Sequence, residues 1–311
     1  MCSKGVDMKI ALLQGGLGQE AEVSRNTGKA FEKALVALNY DYVVIEADDN
    51  LIPKLISEKP DCALIALHGK YAEDGTVQGI CEYLKIPYTG SGLLASALAM
   101  DKLRTKEVLS FYDIPTPKFA VFRRGEDDLE SFDCSIKAPC VVKPVREGSS
   151  VGISIVDEQK DFKAALELAS RYDRHVLIEE KVSGPECTVS VVKDQAFTPI
   201  EIRPKQGFYD YKNKYTKGAT NYLLPPELSD EKIRELKDLA LKVFKILDLH
   251  HYARIDFMMH NGSPYFIEAN TLPGCTETSL LPQAAAHDGV DFNQLIDGLI
   301  KNARLDYEGV V

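Results

Sequence analysis

A chain of 311 residues with 45% hydrophobic and 27% charged side chains has the composition of a globular protein and enough apolar mass for two or three domains. Its net charge of -10 argues against a nucleic-acid partner, and no apolar run reaches membrane-spanning length. Seven cysteines, odd in number and without a C-x-x-C pair, read as free thiols in a reducing compartment; Met1 to Met8 lacks an apolar leader core, so a cytoplasmic location is expected.

Lys9-Ile10-Ala11-Leu12-Leu13 reads as a buried strand, followed by the turn Gly15-Gly16-Leu17-Gly18 and a helix over 24–38. Tyr42–Ile45 and Cys62–Leu67 read as further strands, and a helix near Gly75–Leu84 precedes Pro87-Tyr88-Thr89-Gly90. Continuous apolar strands alternating with helices predict a parallel α/β sheet. Gly16 to Ala21 fits G-x-G-x-x-A after a strand, and Glu46 ends the next strand. That fingerprint raises an NAD-dependent oxidoreductase as a rival reading. Glu20 and Glu22 oppose it, because carboxylates at a helix start repel a pyrophosphate and suit an ammonium group instead. Glu22 and His68 both fall at carboxyl ends of predicted strands, where open parallel sheets bind ligands; a plain loop histidine is the competing reading of His68.

The middle third begins with a predicted helix over 94–111 that contains Met100-Asp101-Lys102. Pro115 and Pro117 mark an extended connection. Cys140–Pro144 and Ile153–Val156 read as a hairpin around Arg146-Glu147-Gly148-Ser149-Ser150-Val151-Gly152. Gly148 and Gly152 let backbone N–H groups approach an anion, Ser149 and Ser150 add hydroxyl donors, and Lys143 adds a cation. No Walker-type loop occurs, and an ordinary flexible hairpin is the competing reading. A helix over 161–172 leads to a strand over 175–182, which ends at Ser183-Gly184-Pro185-Glu186. A strand edge ending in acids can hold an adenine and a ribose, although a salt-bridged surface strand explains the same residues.

In the last third, 187–192 and 198–202 alternate as antiparallel strands. The stretch 207–222 carries four tyrosines and four lysines around it, a long polar and aromatic loop of the kind that serves a site. A helix over 229–247 follows, with Ser229 at its start. Then come two apolar runs flanking His260-Asn261-Gly262-Ser263, a β-hairpin by pattern. Arg254 and Asp256 share one face of its first strand, and Glu268 and Asn270 share one face of its second. Two acids and an amide on facing strands suit a hard cation with oxygen ligands. The register decides whether they meet. A two-residue loop of Asn261-Gly262 sets Asp256 opposite Ile267 and splits the acids, whereas an odd loop or a bulge pairs Asp256 with Glu268 and Arg254 with Asn270. The bulged or odd form is expected; an edge hairpin with solvated acids is the competing reading. Ser279 opens a helix, and another spans 291–304.

Taken together these pieces resemble the ATP-grasp superfamily, and within it the D-alanine–D-alanine ligases. The resemblance spans nearly the whole chain. It rests on Glu20-Ala21-Glu22-Val23-Ser24, Ala66-Leu67-His68-Gly69, Glu73-Asp74-Gly75, Tyr88-Thr89-Gly90-Ser91-Gly92, Met100-Asp101-Lys102 and Val142-Lys143-Pro144 through Gly152. It continues through Ser183-Gly184-Pro185-Glu186, Phe208-Tyr209-Asp210-Tyr211, Lys214-Tyr215, Arg254-Ile255-Asp256 and Glu268-Ala269-Asn270-Thr271 with Pro273-Gly274.

The resemblance implies an N-terminal parallel, Rossmann-like α/β domain over 1–97, then a two-lobed ATP-grasp fold with a central lobe over 98–184 and a C-terminal lobe over 185–311. ATP would lie between the lobes. Lys102 and Lys143 would neutralise its phosphates with Ser149, Ser150 and Lys214 nearby; Glu179, Glu180 and Val182 would hold adenine, and Glu186 the ribose. Asp256, Glu268 and Asn270 would hold two Mg²⁺ ions, with Mn²⁺ as a substitute. The first D-alanine would bind near Glu22 and His68, and the second at Ser279 and Leu280. Arg254 and the Gly274 N–H would stabilise an oxyanion, and Ser149 and Tyr215 would link to Glu22 and close the site. The implied product is D-alanyl-D-alanine, a peptidoglycan precursor for the cell wall, made by a homodimer. Lys214-Tyr215 favours an amine as second substrate over the hydroxyl of D-lactate. Gly18, Ala21, Glu180 and Cys275 depart from residues common in the family, and none of these departures removes a catalytic group. A non-catalytic nucleotide-binding module would need a broken metal site, yet all three expected ligands are present.

Overall fold

Three sheets, each stacked against helices, divide the chain. The computed structural model describes residues 8–18, 20–205 and 218–307; Lys214, Tyr215 and the Phe208–Tyr211 motif lie outside them. The first sheet is parallel in the order β2-β1-β3, with β1 Lys9–Gln14, β2 Asp41–Glu46 and β3 Cys62–Ile65. Its central strand is apolar without alternation because helices cover both faces. Helix α1, Ala21–Ala37, buries the stripe Ser24, Thr27, Phe31, Ala34 and Leu35, the spacing of one helical face. Helix α2, Leu51–Glu58, was not anticipated; Pro53 sits in its first turn, where a missing N–H costs nothing. Helix α3, Thr76–Leu84, follows β3.

The expected single helix over 94–111 is two helices, α4 Leu93–Met100 and α5 Lys102–Phe111. Asp101 breaks it. Its backbone is extended at ψ 92, and its carboxylate accepts the Arg104 N–H at 3.0 Å, capping α5. The second sheet is antiparallel in the order β4-β7-β5-β6, with β4 Phe119–Arg123, β5 Cys140–Pro144, β6 Ser154–Val156 and β7 His175–Glu180. Helix α6, Phe162–Ser170, packs Phe162, Leu166 and Ala169 on one face, against Val142, Val176 and Ile178.

The third sheet runs β11-β10-β8-β12-β13, with the short β9, Gln195–Ala196, also on β8. Its strands are β8 Glu186–Val192, β10 Ile200–Pro204, β11 Thr220–Leu223, β12 Tyr252–His260 and β13 Ser263–Asn270. Helix α7, Asp230–Ile246, is capped by the Ser229 hydroxyl and sets Leu236, Ala240, Val243 and Phe244 against Ala253, Ile255 and Phe257 of β12. Helices α8, Leu280–His287, and α9, Phe292–Lys301, lie within the expected 185–311 part yet share a core with β1–β3 through Leu281, Ala285, Leu295 and Ile296. The six cysteines among the described residues are free. No helix among them is long and apolar enough to cross a membrane.

His251 joins the first sheet's exit loop to the start of β12. Its Nδ1 accepts the Gly90 N–H at 2.8 Å. Burial pulls its pKa down from 6.5 to about 4. A folded value below the unfolded one means that the unfolded chain takes the proton first. Stability is therefore complete above the unfolded value of about 6.5 and drains away as pH falls toward the folded one. In urea unfolding at about pH 7 and about pH 4.5, the wild type should lose about 2–3 kcal/mol more than His251→Gln. Equal losses would place the acid sensitivity elsewhere.

Candidate active site

The hairpin of β12 and β13 builds the floor of the site. Arg254 pairs with Asn270 and Asp256 with Glu268, and a register shift follows between Asp256 and Phe257. The turn itself has two residues, Asn261 and Gly262 at φ 51 and 77, the left-handed pair that such a loop needs. Ile267 is thus the extra residue of a bulge. It moves Glu268 into line with Asp256, and the expected pairing holds. Along β12, Ala253, Ile255 and Phe257 turn under α7, so Arg254 and Asp256 must face the other way.

Asp256 is held from two sides. Arg254 reaches it with Nε to Oδ1 and Nη2 to Oδ2, both at 3.0 Å, and the Thr188 hydroxyl of β8 donates to Oδ1 at 2.6 Å. Glu268 Oε2 lies 3.4 Å from Lys102 Nζ. The Asn270 Oδ1 is buried and has no hydrogen-bond partner among the described residues. An orphaned amide oxygen beside two carboxylates is a hard-cation donor set. Glu268 and Asn270 thus offer oxygens of the kind a hard cation takes, while both oxygens of Asp256 are engaged by Arg254 and Thr188.

Above this floor lies a cavity of about 390 Å³. It is lined by His68, Lys102, Ser149, Arg254, Glu268, Asn270, Gly274, Ser279 and Leu280, all expected from sequence, together with Glu20, Thr27, Glu73 and Tyr222. Glu22, Lys143, Ser150, Asp256, Glu179, Glu180, Val182 and Glu186 are not among its lining residues.

Glu22 requires a correction. The Ser149 hydroxyl donates to Glu20 Oε1 at 2.6 Å, not to Glu22. Helix α1 begins between the two acids, and residues two apart on a helix point roughly 200° from each other. Glu20 therefore faces the cavity, while the Glu22 side chain is 74% exposed and lies 3.8 Å from Arg25. The Glu20 carboxylate also sits against Gly69. A Cβ there would fall 2.2 Å from Glu20 Oε2, and φ +72 at Gly69 disfavours any side chain. Ser149 and Ser150 are both left-handed, at φ 49 and 61. An ion pair between Lys70 and Glu147 ties their loop to the segment after β3 as well.

His68 lines the cavity but has both ring nitrogens engaged. Nδ1 lies 2.9 Å from the Leu272 carbonyl oxygen and Nε2 2.9 Å from the Thr27 hydroxyl. A carbonyl only accepts, so Nδ1 carries a proton; in the neutral ring the Thr27 hydroxyl then donates to Nε2. His68 thus braces α1 against the segment that leads to Gly274. Ser279 sits at the N-cap of α8. Its Oγ accepts the Thr276 N–H at 3.0 Å and leaves the first turn of the helix uncapped by its side chain.

The expected nucleotide residues divide into two groups. Lys102 Nζ donates to the Glu147 carbonyl at 2.7 Å and points at Glu268. Lys143 Nζ instead lies 2.6 Å from Glu179 Oε2, and Lys106 Nζ lies 2.7 Å from Glu179 Oε1. Burial pushes the Glu179 carboxyl up, but Lys143 and Lys106 outweigh it and hold the group below its ordinary range. The Glu179 side chain is spent on two lysines, and Glu180 Oε1 accepts the Lys118 N–H at 3.0 Å. Lys106 was missed from sequence; a lysine one turn after Lys102 on the same helix face was the available signal. Glu46, the acid of the dinucleotide fingerprint, is committed to Gln14 at 2.9 Å and Arg25 at 3.2 Å.

A family model described as D-ala D-ala ligase C-terminus matches residues 108–301, and one described as D-ala D-ala ligase N-terminus matches residues 49–91. A D-alanine–D-alanine ligase of Syntrophotalea carbinolica is 47% identical over 297 residues, which cover 96% of either chain. Among solved structures, the D-alanine–D-alanine ligase of Bacillus anthracis complexed with ATP superposes with a TM-score of 0.83 at 35% identity, over 94% of this chain and 96% of that one. The VanG D-Ala:D-Ser ligase of Enterococcus faecalis gives a TM-score of 0.83 at 29% identity, over 95% and 99% of the two chains. With its middle and C-terminal parts matched by one model and its near-full length by a relative, the chain belongs to the D-alanine–D-alanine ligase family.

Proposed function

We infer that this protein joins two D-alanines in an ATP-dependent reaction that releases ADP and phosphate. The observation that carries the mechanism is one cavity in which Lys102, Ser149, Arg254, Gly274 and Ser279 converge with Glu268 and Asn270. A carboxylate is a poor electrophile with a poor leaving group. Its oxygen attacks the γ-phosphorus of ATP, the bond to the ADP oxygen breaks, and a D-alanyl phosphate forms. The amine of the second D-alanine then attacks the acyl carbon, loses a proton and expels phosphate.

Residues in and outside the cavity lining divide the work of this sequence. Glu20, in place of Glu22, receives the ammonium of the first D-alanine, since it is the carboxylate that faces the cavity. Ser149 fixes that carboxylate and carries the phosphate loop to it. Lys102 and Lys143 attract the triphosphate. Arg254, steadied by its two bonds to Asp256, and the Gly274 N–H stabilise the tetrahedral oxyanion. Ser279 and the first turn of α8 receive the carboxylate of the second D-alanine, since a helix start favours an anion. His68 acts by holding Leu272 and α1 in place and not by binding substrate. Asp256, Glu268 and Asn270 would hold two Mg²⁺ ions, which neutralise charge on the transferring phosphoryl group when bound.

The decisive assay is D-alanine-dependent ADP release, with L-alanine as control. ADP release without D-alanine, or equal release with L-alanine, would remove the reading. Glu20→Gln should lower kcat/KM roughly 30-fold or more, the equivalent of the about 2–5 kcal/mol lost with one partner of a desolvated charge pair. Glu22→Gln should change it less than about threefold, as a surface ion pair contributes little. If the two variants swap places, the ammonium site is misassigned. For the second substrate, D-alanine supplied with D-lactate near neutral pH should yield mainly dipeptide. A predominant ester product would point to depsipeptide synthesis.

A further inference from the structure

Lys106 is 0% exposed, and a lysine in that position is costly unless its charge is matched. Three oxygens surround its ammonium: Glu179 Oε1 at 2.7 Å, the Pro117 carbonyl at 3.3 Å and the Thr116 hydroxyl. The Phe119 ring lies 5.5 Å away. Thr116 in turn donates to the Phe266 carbonyl of β13 at 3.2 Å. Lys106 therefore donates to the Thr116 hydroxyl and the Pro117 carbonyl and is ion-paired with Glu179, whose Oε1 accepts no hydrogen bond of good geometry. Lys143 differs. Among the described residues its ammonium meets Glu179 Oε2 alone, at 2.6 Å, so donors remain for a ligand.

The charges then add simply. With both lysines protonated, two ammonium groups flank one carboxylate and the triad carries a net charge of one positive unit; burial pulls the Lys106 pKa down against the pull of Glu179. Without Lys106 the pair Glu179–Lys143 would be neutral, and Lys143 would present no net charge to an anion. We propose that Lys106 is a positioning residue for the triphosphate: it takes up the charge of Glu179, so that Lys143 keeps its own for a nucleotide phosphate. This rests on the ligase reading above, in which Lys143 attracts the triphosphate although it is buried and does not line the cavity. It explains why a buried site on α5 holds a lysine where packing alone would suit an apolar chain.

The test compares the full-length wild type with K106M, E179Q and K106M/E179Q, whose triads carry net charges of one, zero, two and one positive units by the same count. Inorganic tripolyphosphate and adenosine serve as separate competitors against ATP, beside KM values for ATP and D-alanine. K106M should weaken tripolyphosphate and ATP by about tenfold or more, in the range for stripping one partner from a buried charge pair. Its adenosine inhibition and its D-alanine KM should stay within about threefold of wild type. The double variant should recover tripolyphosphate binding to within about threefold of wild type, although it removes a further polar group. A packing role predicts no recovery, and a double variant as weak as K106M overturns the proposal. Parallel loss of adenosine and tripolyphosphate binding also overturns it. Should K106M fail to fold, E179Q decides: tighter tripolyphosphate binding supports the charge account, and weaker binding rejects it. A wild type that releases no ADP with D-alanine refutes the ligase reading instead, while an active wild type with an unimpaired K106M refutes this inference alone.

Discussion

The site depends on strand β12 having two incompatible faces. Ala253, Ile255 and Phe257 are fully buried beneath α7, and strand alternation then leaves Arg254 and Asp256 no choice but the opposite side. The bulge at Ile267 makes the neighbouring strand agree. Without it, β13 would bring Ile267 beside Asp256, and Glu268 would sit on the wrong face. A single inserted residue thus decides whether two carboxylates, an amide and a guanidinium form one surface or two unrelated ones.

The remaining parts of the cavity are brought to that floor by cross-links between distant segments. Ser149 to Glu20 and Glu147 to Lys70 tie the loop after β5 to the start of α1 and the loop after β3. His68 ties α1 to the strand exit at Leu272. Thr116, through its hydroxyl, ties the linker before β4 to β13. Each of these links is a hydrogen bond or an ion pair at the rim of a core. Such contacts contribute modestly to net stability, but their geometry is directional. Orientation of the three parts around a small, highly charged substrate needs that directionality more than it needs buried area.

Much of this was legible in the residues. The parallel sheet followed from unbroken apolar strands, and the hairpin pairing followed from asking where both acids had to sit. What failed did so for local reasons. Glu20 and Glu22 are chemically alike and two positions apart, so only the start of α1 distinguishes them, and helix starts are where sequence is least decisive. The break at Asp101 was hidden by good helix formers on both sides. Proline in the first turn concealed α2. The adenine roles of Glu179 and Glu180 are implied by resemblance alone. In the fold, one side chain lies between two lysines and the other bonds the Lys118 N–H, which sequence spacing cannot reveal because β4, β5 and β7 come together only through pairing.

Helices α8 and α9 carry a consequence for biogenesis. Their apolar faces complete the core around β1 and β3, and Tyr40 bonds Asp297 across 257 positions of sequence. During synthesis on the ribosome, the opening sheet must wait with an uncovered hydrophobic flank until those closing segments emerge. Long-range closure of this kind slows folding and prolongs exposure to aggregation. The closing helices are thus part of the opening sheet's own core, and removing them would uncover it.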